Sequence, residues 1–477
     1  MSITVTTYND LQLYPYKLID LLELKIVKKI NEHVRLYFTG VVPEEIKDSY
    51  IGTTNTGTHI EVNKIDENQQ SKPIFKGIIV NIGVKVVRGV YYIEAEAVSY
   101  TYNLDVQFKS RSFQNKAMTY KELIQQVVSD YPGADFIDTV SKGDAIKKFI
   151  MQYKETDWQF LKRMASHFNA GLIADPVASN PKFWFGVPES GEKLQLEELN
   201  YTVSKRLSEF RNSSQNHNPK LGENDFVYYE FQSDIIMNIG SSVEFNGKSL
   251  VVYEATCVME QGILKNNYVI APAKGLSQDK IYNNAIVGLS VEGKVISVAN
   301  DNIKAHLAID SEQSVGTAWW FPYSSVYTAE GNSGWYCMPE LNDHIRIYFP
   351  SNKEEDGVAI SSVRKDTQKA ENNKIDNPDI KYFRTKSGKE LMFGPEEILI
   401  SAKDGEIFIK LNENNGIEIY SKYGISLTSK DMMTIHSDTK VIIKAEELIE
   451  MTCQSSNITM DGTSGDIIVN GSEVKSN

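Results

Sequence analysis

Residues 416–453 read GIEIYSKYGISLTSKDMMTIHSDTKVIIKAEELIEMTC, and they belong to a repeat that decides the fold of the C-terminal region. Apolar residues two positions apart recur in steps of 8 to 10 residues, and each pair is followed by a polar turn. Residues two apart share one face of a β-strand, so the repeat predicts a series of short strands. The pairs are Ile398 and Ile400, Ile407 and Ile409, Ile417 and Ile419, Ile425 and Leu427, Met433 and Ile435, Val441 and Ile443, Ile449 and Met451, Ile458 and Met460, and Ile467 and Val469.

Each of these strands has only two or three apolar side chains to bury, and a single chain of them cannot cover its own apolar face. Three copies side by side close a narrow prism, so we predict an intertwined triple-stranded β-helix over 381–477. Its trimer core would be all the paired residues from Ile407 to Val469. The alternative is an ordinary antiparallel meander, but nothing after Phe393 offers a helix or a second apolar layer to cover it.

Length and charge restrict the classes of protein that fit. A chain of 477 residues is expected to form several domains. Lys and Arg number 50 against 63 Asp and Glu, and the net charge of −13 argues against nucleic acid as a partner. The three cysteines, Cys257, Cys337 and Cys453, are far apart, which favours folding in a reducing cytosol. We find neither a signal-peptide pattern nor an apolar run of about 18 residues, so synthesis in the cytoplasm without a signal peptide is expected.

The period of the apolar pattern divides the rest of the chain. Short strands at regular spacing over 1–112 and 190–280 predict sandwiches or barrels. Five strands over 281–364 fit a small closed barrel such as an OB fold. Residues 113–189 contain helical spacing and predict an α+β insertion, and the polar stretch 365–380 is interpreted as a linker.

Two helices of the insertion have a capping box at their start. Thr119 precedes Glu122 by three residues, and Thr156 precedes Gln159 in the same way. On the second helix, Trp158, Leu161 and Met164 recur on one face, and Lys162 and Arg163 are predicted on the outer side. Two polar stretches elsewhere are interpreted as exposed: a loop at 211–219 and a solvated turn at 354–356.

Residue patterns that carry chemistry are missing from the sequence. The seven histidines are not at metal-ligand spacing, and neither HExxH, a P-loop nor GxSxG occurs. His167 is expected to be packed at the edge of a core, and His436 should point outward. Trp319-Trp320-Phe321 fits a barrel core or interface better than a carbohydrate platform. We therefore predict no catalytic, cofactor-binding or metal-binding residues, and no enzyme activity.

Residues 153–164, YKETDWQFLKRM, resemble the Y-x-E-[TS]-D-[WY]-x-F-[LI]-x-R-[LM] motif of VgrG-type hub–spike proteins of contractile injection systems, which include phage late-control-D baseplate hubs. Weaker similarities follow the family's order at 75–77, 97–105, 334–345 and 384–393. The matching positions of the motif helix are Tyr153, Glu155, Thr156, Asp157, Trp158, Phe160, Leu161 and Arg163.

The resemblance implies a mainly β, multidomain architecture. Two hub β-barrels at 1–112 and 190–280 would flank the α+β insertion at 113–189. An OB-fold barrel at 281–364, the linker at 365–380 and the trimeric β-helix spike at 381–477 would follow. The short linker leaves no room for the lysozyme domain that some phage spikes carry, and no fused toxin or HxH tip motif is found.

The function implied is structural. A homotrimer at the tip of a phage tail, a phage-tail-like bacteriocin or a type VI secretion system would adapt a hexameric tube to a threefold needle that punctures the target cell envelope. Its partners would be inner-tube and baseplate proteins and either a separate tip-capping cone protein or an effector. Particle assembly would deliver it outside the cell or into a target cell. The alternatives are a tail-associated cell-wall hydrolase and a trimeric receptor-binding fibre.

Overall fold

The computed structural model describes residues 6–46, 49–66, 68–188, 193–196, 200–327, 334–363 and 377–475. The chain forms two compact units, 1–366 and 367–477, and both are built mostly of strands. Most of the predicted linker, residues 365–376, lies outside the described residues. The division into two units falls within that predicted linker.

The largest element of the first unit is a twelve-stranded sheet formed by two segments of the chain. The first segment contributes six strands and a short helix: β1 (Leu11–Tyr14), β2 (Asp20–Lys29), β3 (Arg35–Val42), α1 (Ser49–Thr53), β4 (His59–Ile65), β5 (Ser71–Val87) and β6 (Val90–Val98). The second segment contributes the elements that follow the insertion: β12 (Leu194–Leu196), β13 (Tyr201–Lys205), α4 (Leu207–Asn216), β14 (Val227–Ser233), β15 (Ser242–Phe245), β16 (Lys248–Glu260) and β17 (Ile263–Ala271).

The two segments share one hydrogen-bonded ladder rather than closing separately. The main path runs β1-β4-β5-β6-β3-β2-β16-β17-β14-β13, with β15 on β16 and β12 on β15. Ile26 of β2 lies opposite Cys257 of β16 in the antiparallel pair that joins the halves. The two segments thus share one open sheet, because the edge of β2 pairs with β16, and the two hub β-barrels remain a prediction. Pairing between the halves satisfies backbone groups that an edge strand leaves open.

The α+β insertion lies between these two segments in sequence. Its elements are β7 (Lys109–Phe113), α2 (Tyr120–Val128), β8 (Asp135–Asp138), β9 (Ile150–Glu155), α3 (Asp157–Ser166), β10 (Leu172–Ala174) and β11 (Lys182–Phe185). Both predicted capping boxes form, on Thr119 for α2 and on Thr156 for α3. The buried faces of α2 and α3 join the same hydrophobic core as the first half of the large sheet. The insertion is thus packed into the unit and does not stand apart from it.

A five-stranded antiparallel sheet completes the first unit. Its strands are β18 (Ser290–Ala299), β19 (Asn302–Leu307), β20 (Trp320–Pro322), β21 (His344–Tyr348) and β22 (Val358–Ser362), in the order β20-β19-β18-β21-β22. A single parallel bridge joins Tyr323 to Ala359, at the two ends of that order. The sheet itself is open, so its assignment as an OB fold remains a prediction. Phe149 and Met151 of the insertion belong to its buried core.

The second unit consists of two antiparallel meanders. The first contains β23 (Lys381–Arg384), β24 (Glu390–Phe393), β25 (Glu397–Lys403), β26 (Ile407–Asn412) and β27 (Gly416–Ser421). The second contains β28 (Leu448–Cys453), β29 (Ser456–Asp461) and β30 (Ile467–Asn470). Residues 422–447 between them are described without helix or strand.

The segment 422–447 differs from the prediction, because the repeat predicts three strands with buried apolar pairs there. In the single chain the six residues of those pairs lie outside any strand, and their side chains are exposed. Strands this short need a covering layer, and one chain supplies none in this segment. The six residues are Ile425, Leu427, Met433, Ile435, Val441 and Ile443, with exposed fractions of 55%, 71%, 51%, 71%, 52% and 62%.

The segment predicted as a polar loop at 211–219 is largely helical. Helix α4 covers Leu207–Asn216, and Phe210 packs against Phe226 with ring centroids 5.7 Å apart. One aromatic anchor holds the helix, while the polar residues remain in solvent. The prediction was wrong because a helix with one apolar contact has almost no periodic signal in its sequence.

Candidate functional site: a buried motif junction and an exposed apolar face

Helix α3 begins at Thr156 because its first turn is capped from both directions. The Thr156 hydroxyl accepts a hydrogen bond from the Gln159 backbone N–H at 3.1 Å, and the Gln159 side-chain oxygen accepts one from the Thr156 N–H at 3.2 Å. The cap satisfies backbone donors that would otherwise be unpaired at the helix start. It also fixes the direction in which the motif side chains leave the helix. We call residues 153–164 and their side-chain partners the motif junction.

Arg163 lies inside the motif junction and is 2% exposed, so the prediction that it faces outward is wrong. Its Nε and Nη2 donate to the two carboxylate oxygens of Glu155, each at 2.8 Å. Nη2 also donates to the Met151 carbonyl at 2.8 Å, and Nη1 donates to Glu354 Oε1 at 2.9 Å. Burial alone would lower the pKa of Arg163, but Glu354 and Glu155 raise it above its ordinary value. The guanidinium is therefore held fully charged between two carboxylates.

Glu354 is a member of the junction that sequence reasoning missed. It was assigned to a solvated acidic turn, but its side chain is buried in a 3-10 turn, Glu354–Asp356, just before β22. Its Oε1 also accepts the Met151 backbone N–H at 2.9 Å. Glu354 thus ties the five-stranded sheet to β9 and to the last turn of α3. No local signal separates it from its solvated neighbour Glu355, because the partner lies 191 residues away in sequence.

Asp157 forms a second buried ionic centre, at the first turn of the same helix. It is 0% exposed, and its carboxylate accepts from Arg111 Nη2 at 2.6 Å and from Lys109 Nζ at 2.8 Å. The Tyr131 hydroxyl at 2.7 Å and Gln152 Nε2 at 2.9 Å complete the set of donors. The helix dipole alone does not explain an aspartate here. Four donors from outside the helix satisfy a buried charge that would otherwise be strongly unfavourable.

Trp158 connects α3 to the large sheet through a histidine. Its indole N–H donates to the Asn31 carbonyl at 3.1 Å, and its ring lies 4.6 Å from the His33 ring. His33 in turn lies between Asp105, at 3.2 Å, and the Thr101 hydroxyl, at 2.8 Å. A carboxylate, an imidazole and a hydroxyl in line resemble a nucleophile relay. Thr101 is 1% exposed, however, so no substrate can reach the hydroxyl.

The remaining motif residues provide apolar packing. Phe160 stacks on Phe113 with centroids 5.4 Å apart, and Leu161 is fully buried. Tyr153 packs against the core of the five-stranded sheet, and its carbonyl accepts from Asn283 Nδ2 at 2.9 Å. All eight motif positions thus face other parts of the first unit. The junction locks the large sheet, the insertion and the five-stranded sheet together.

The apolar residues of the first meander share one face and lie in register across its strands. Ile400 of β25 lies opposite Ile409 of β26, which in turn lies opposite Ile419 of β27. Ile398, Leu411 and Ile417 form the neighbouring row, with Leu391 and Phe393 of β24 continuing the two rows. Ile419 is 56% exposed and Ile417 is 72% exposed. We call this surface, together with the apolar side of the second meander described next, the apolar face.

The second meander repeats the arrangement with the pairs nearest the C-terminus. Ile449 lies opposite Met460, and Met451 lies opposite Ile458. Met460 and Ile458 then lie opposite Ile467 and Val469 of β30. These side chains are exposed or half-buried in the single chain.

The three apolar pairs between the two meanders are not part of any described strand. Leu427, Ile435 and Ile443 were predicted to point into a core together with Ile425, Met433 and Val441, but in one chain all six are open to solvent. An apolar pair two residues apart predicts a strand only where a partner strand can hydrogen-bond to it, and no described residue of this chain pairs there. These residues are therefore left uncovered by the described residues of one chain.

Other predicted features are readily located. His167 caps the end of α3 and lies 2.8 Å from the Tyr120 hydroxyl, while His436 is exposed. Trp319 packs against the core of the five-stranded sheet, and Trp320 lies at its edge with the Lys304 ammonium 4.9 Å from its ring. In the described part of the chain, no group of three His, Cys, Asp or Glu residues is placed to hold a metal ion. None of the helices described there is long and apolar enough to cross a membrane.

Comparisons with known proteins identify the fold. No family model and no curated protein matches the sequence. Among solved structures, the E. coli c3393 protein, a component of the type VI secretion system described as similar to the T4 phage tail proteins gp27 and gp5, matches 74% of this chain and 99% of its own, with a TM-score of 0.53 and 11% identity. The half-lidded Francisella PdpA–VgrG complex matches 87% of each chain, with a TM-score of 0.53 and 10% identity.

At these identities the likeness establishes the fold, and it extends across nearly the whole of the E. coli protein. The neighbours are the class of protein that residues 153–164 predict, and those residues form the junction on which the first unit is built. The chain therefore has the fold of the VgrG-type hub–spike proteins found in type VI secretion systems and phage tails.

Proposed function

We propose that the protein is the structural hub and spike of a contractile injection system, and that it acts as a homotrimer. The first unit would be the hub that adapts a hexameric tube to threefold symmetry. The second unit would be the needle that punctures a target envelope. The apolar face is the observation that carries this proposal.

A single chain does not cover this face. Its apolar side chains lie in register over the strands of the two meanders, and Met392 is the only buried apolar residue among the described residues of the second unit. Exposed apolar surface of this extent marks an interaction site. Three copies, each contributing one such face around a common axis, would bury every predicted core pair at once, including those of the strandless segment. This favours the triple-stranded β-helix over the isolated meander as the working form.

Mechanical work suits the first unit as well. Arg163 and Asp157 hold its parts together through buried, fully paired charges, and the hydroxyl beside His33 is sealed from solvent. A rigid body with no accessible relay fits force transmission better than hydrolysis of a cell wall. We accordingly propose inner-tube and baseplate proteins as partners, and an effector or a tip-capping protein as cargo. A VgrG of known structure is complexed with PdpA, which makes an effector-like partner a reasonable expectation.

The mass of the full chain in solution tests the proposal. Sedimentation equilibrium should give three times the chain mass of 53.8 kDa, and the value should persist on dilution to low micromolar concentrations. Zymograms on bacterial cell walls should remain uncleared in parallel. A stable monomer in these conditions would contradict the self-assembling needle, and clearing of the cell wall would favour the hydrolase alternative.

A further inference from the structure

A lysine occupies a core position of the large sheet. Along β2, Leu24, Ile26 and Lys28 alternate with exposed or half-buried residues and point to the same buried side. Leu24 and Ile26 are each 1% exposed, and Lys28 is 6% exposed. In a strand with this alternation, an apolar residue is expected at position 28. The ammonium group placed there therefore needs an explanation.

The described surroundings of Lys28 do not neutralise it. Its Nζ donates to Asn238 Oδ1 at 2.6 Å and makes no ion pair with any residue in the described part of the chain. Asp175 is the acidic residue whose charge acts on Lys28, but its carboxylate accepts the backbone N–H groups of Val177 and Ala178 in its own turn. Cys257, on β16, is neutral because burial raises the pKa of its thiol to about 12.

The neighbouring lysine shows the contrast. Lys29 points to the other side of β2, is partly exposed and lies 3.7 Å from Glu254. Burial lowers the pKa of Lys28 to about 8, although Cys257 and Asp175 oppose the shift. A buried ammonium without a counter-ion is unfavourable, and an arriving anion would relieve it.

A cavity of about 200 Å³ opens beside this ammonium. It lies where three parts of the first unit meet: β2, the β10–β11 hairpin of the insertion, and the 238–241 turn before β15. Its walls include Ile173, Trp184, Pro188 and Ile239. An apolar pocket with one or two convergent polar groups at a junction of segments is the usual form of a small binding site.

We propose that this cavity binds a carboxylate carried on a short apolar stem, with the Lys28 ammonium as its counter-ion and the Asn238 amide as a second polar contact. The apolar walls would hold the stem. Lys29 also lines the cavity, but its ammonium is paired with Glu254. One unpaired cation favours one negative charge, so a carboxylate fits better than a phosphate, which brings up to two charges into an apolar cavity. The carboxylate can come from a free short-chain acid or from an acidic side chain of a docked polypeptide.

Calorimetric titration of the full chain with sodium butyrate and with N-acetylglutamate α-amide, at pH 7, tests the site. At least one of the two probes should bind with millimolar affinity, and inorganic phosphate should bind at least tenfold more weakly. Binding of butyrate assigns the site to free acids, whereas binding of the capped glutamate alone assigns it to a polypeptide side chain. Affinity should fall about tenfold for each pH unit above 8, as Lys28 loses its proton.

Two variants test whether binding depends on this cavity or on a general effect of mutation. Lys28→Met should weaken binding at least tenfold, while Lys25→Met, an exposed position of the same strand outside the cavity lining, leaves it unaltered. Asn238→Asp keeps the shape of the side chain and supplies an internal carboxylate to Lys28, so it should abolish binding in a folded protein. The proposal is overturned if neither probe binds at about 10 mM, if phosphate binds as well as they do, or if Asn238→Asp binds normally.

Discussion

The two units of this chain differ in whether their apolar side chains are buried or exposed. The first unit buries a large apolar core and even buries charged side chains such as Arg163 and Asp157, each supplied with partners from distant elements. The second unit leaves its apolar side chains on an open face. The difference teaches that the apolar side chains of the first unit are covered within one chain, whereas those of the second unit are not.

The largest effect should follow from a charge placed on the apolar face. Ile409→Asp puts a carboxylate between Ile400 and Ile419 in each of three copies, where it has no counter-ion. We expect the trimer to be lost, with the mass in solution falling to that of one chain, while the first unit still unfolds at its normal temperature.

Lys410→Gln is the matched control, because its side chain leaves the opposite side of the same strand. It should keep the trimer. If Ile409→Asp stays trimeric, the apolar face is not the assembly surface and the comparison between the units fails.

The next largest effect should come from the motif junction. Arg163→Met leaves Glu155 and Glu354 buried without their cation, and breaking a buried pair in this way costs about 3–5 kcal/mol. Denaturant unfolding of the first unit should show this loss. Lys162→Met, one residue earlier and partly exposed, should change the free energy of unfolding by no more than about 0.5 kcal/mol. A loss near that value for Arg163→Met would show that the junction does not hold the unit together.

Acid should destabilise the first unit selectively. Burial, helped by Lys148 and Arg163, lowers the pKa of His167 from 6.5 to about 2, and burial also lowers the pKa of His33. Between pH 6.5 and 2 the unfolded chain takes up a proton at His167 that the folded chain does not. The stability contributed by the neutral imidazole is therefore fully present above pH 6.5 and declines as the pH falls toward 2.

His167 should contribute at most about 1.4 kcal/mol per pH unit to the slope of the free energy of unfolding against pH. The melting temperature of the first unit, recorded between pH 7 and 5, follows this slope. His167→Asn, which retains an acceptor for the Tyr120 hydroxyl, should reduce the slope. His436→Asn in the second unit should leave it unchanged, since that side chain is exposed. Equal slopes in all three proteins would contradict this origin of the acid sensitivity.

A smaller effect is expected at the start of α3. Thr156→Ala removes the cap on the Gln159 N–H and the hydrogen bond to Asp105, and loss of a helix cap typically costs about 1 kcal/mol. Thr156→Ser keeps the hydroxyl and should restore most of the loss. Thermal unfolding of both variants measures the loss of stability. Identical losses for Thr156→Ala and Thr156→Ser would mean that the hydroxyl does not contribute to stability.

Local patterns were predicted well from the sequence. Both capping boxes form, on Thr119 and on Thr156. The apolar pairs that lie in strands also share a face, as their spacing of two requires. These features depend on residues a few positions apart, which is the range over which periodicity carries information.

Long-range relations were not predictable in this way. Arg163 and Glu354 are polar residues next to other polar residues, and only the fold brings them together. The sequence of a strand does not show which other strand it pairs with, so the pairing of β2 with β16 was not predictable. Lys28 interrupts a regular apolar alternation, and that interruption was the signal that sequence analysis could have used.

Leu427, Ile435 and Ile443 show that a regular apolar repeat also does not predict whether its side chains are buried in one chain. Each continues the apolar repeat without a break, yet in one chain each lies exposed and outside any strand. A repeat shows which side chains need to be covered, but the cover itself comes from strands that the sequence of one copy does not supply.

The most direct test of the central claim uses the cysteines already present. Cys453 follows Ile449 and Met451 on the same side of β28 and is exposed in the single chain, as is Cys337, while Cys257 is buried. The reactivity of each thiol toward a maleimide should be measured by mass spectrometry on the native full chain. The account predicts that Cys453 is protected as fully as Cys257 while Cys337 reacts at once. Rapid labelling of Cys453 together with Cys337 would show that the apolar face remains open, and would contradict a trimeric needle.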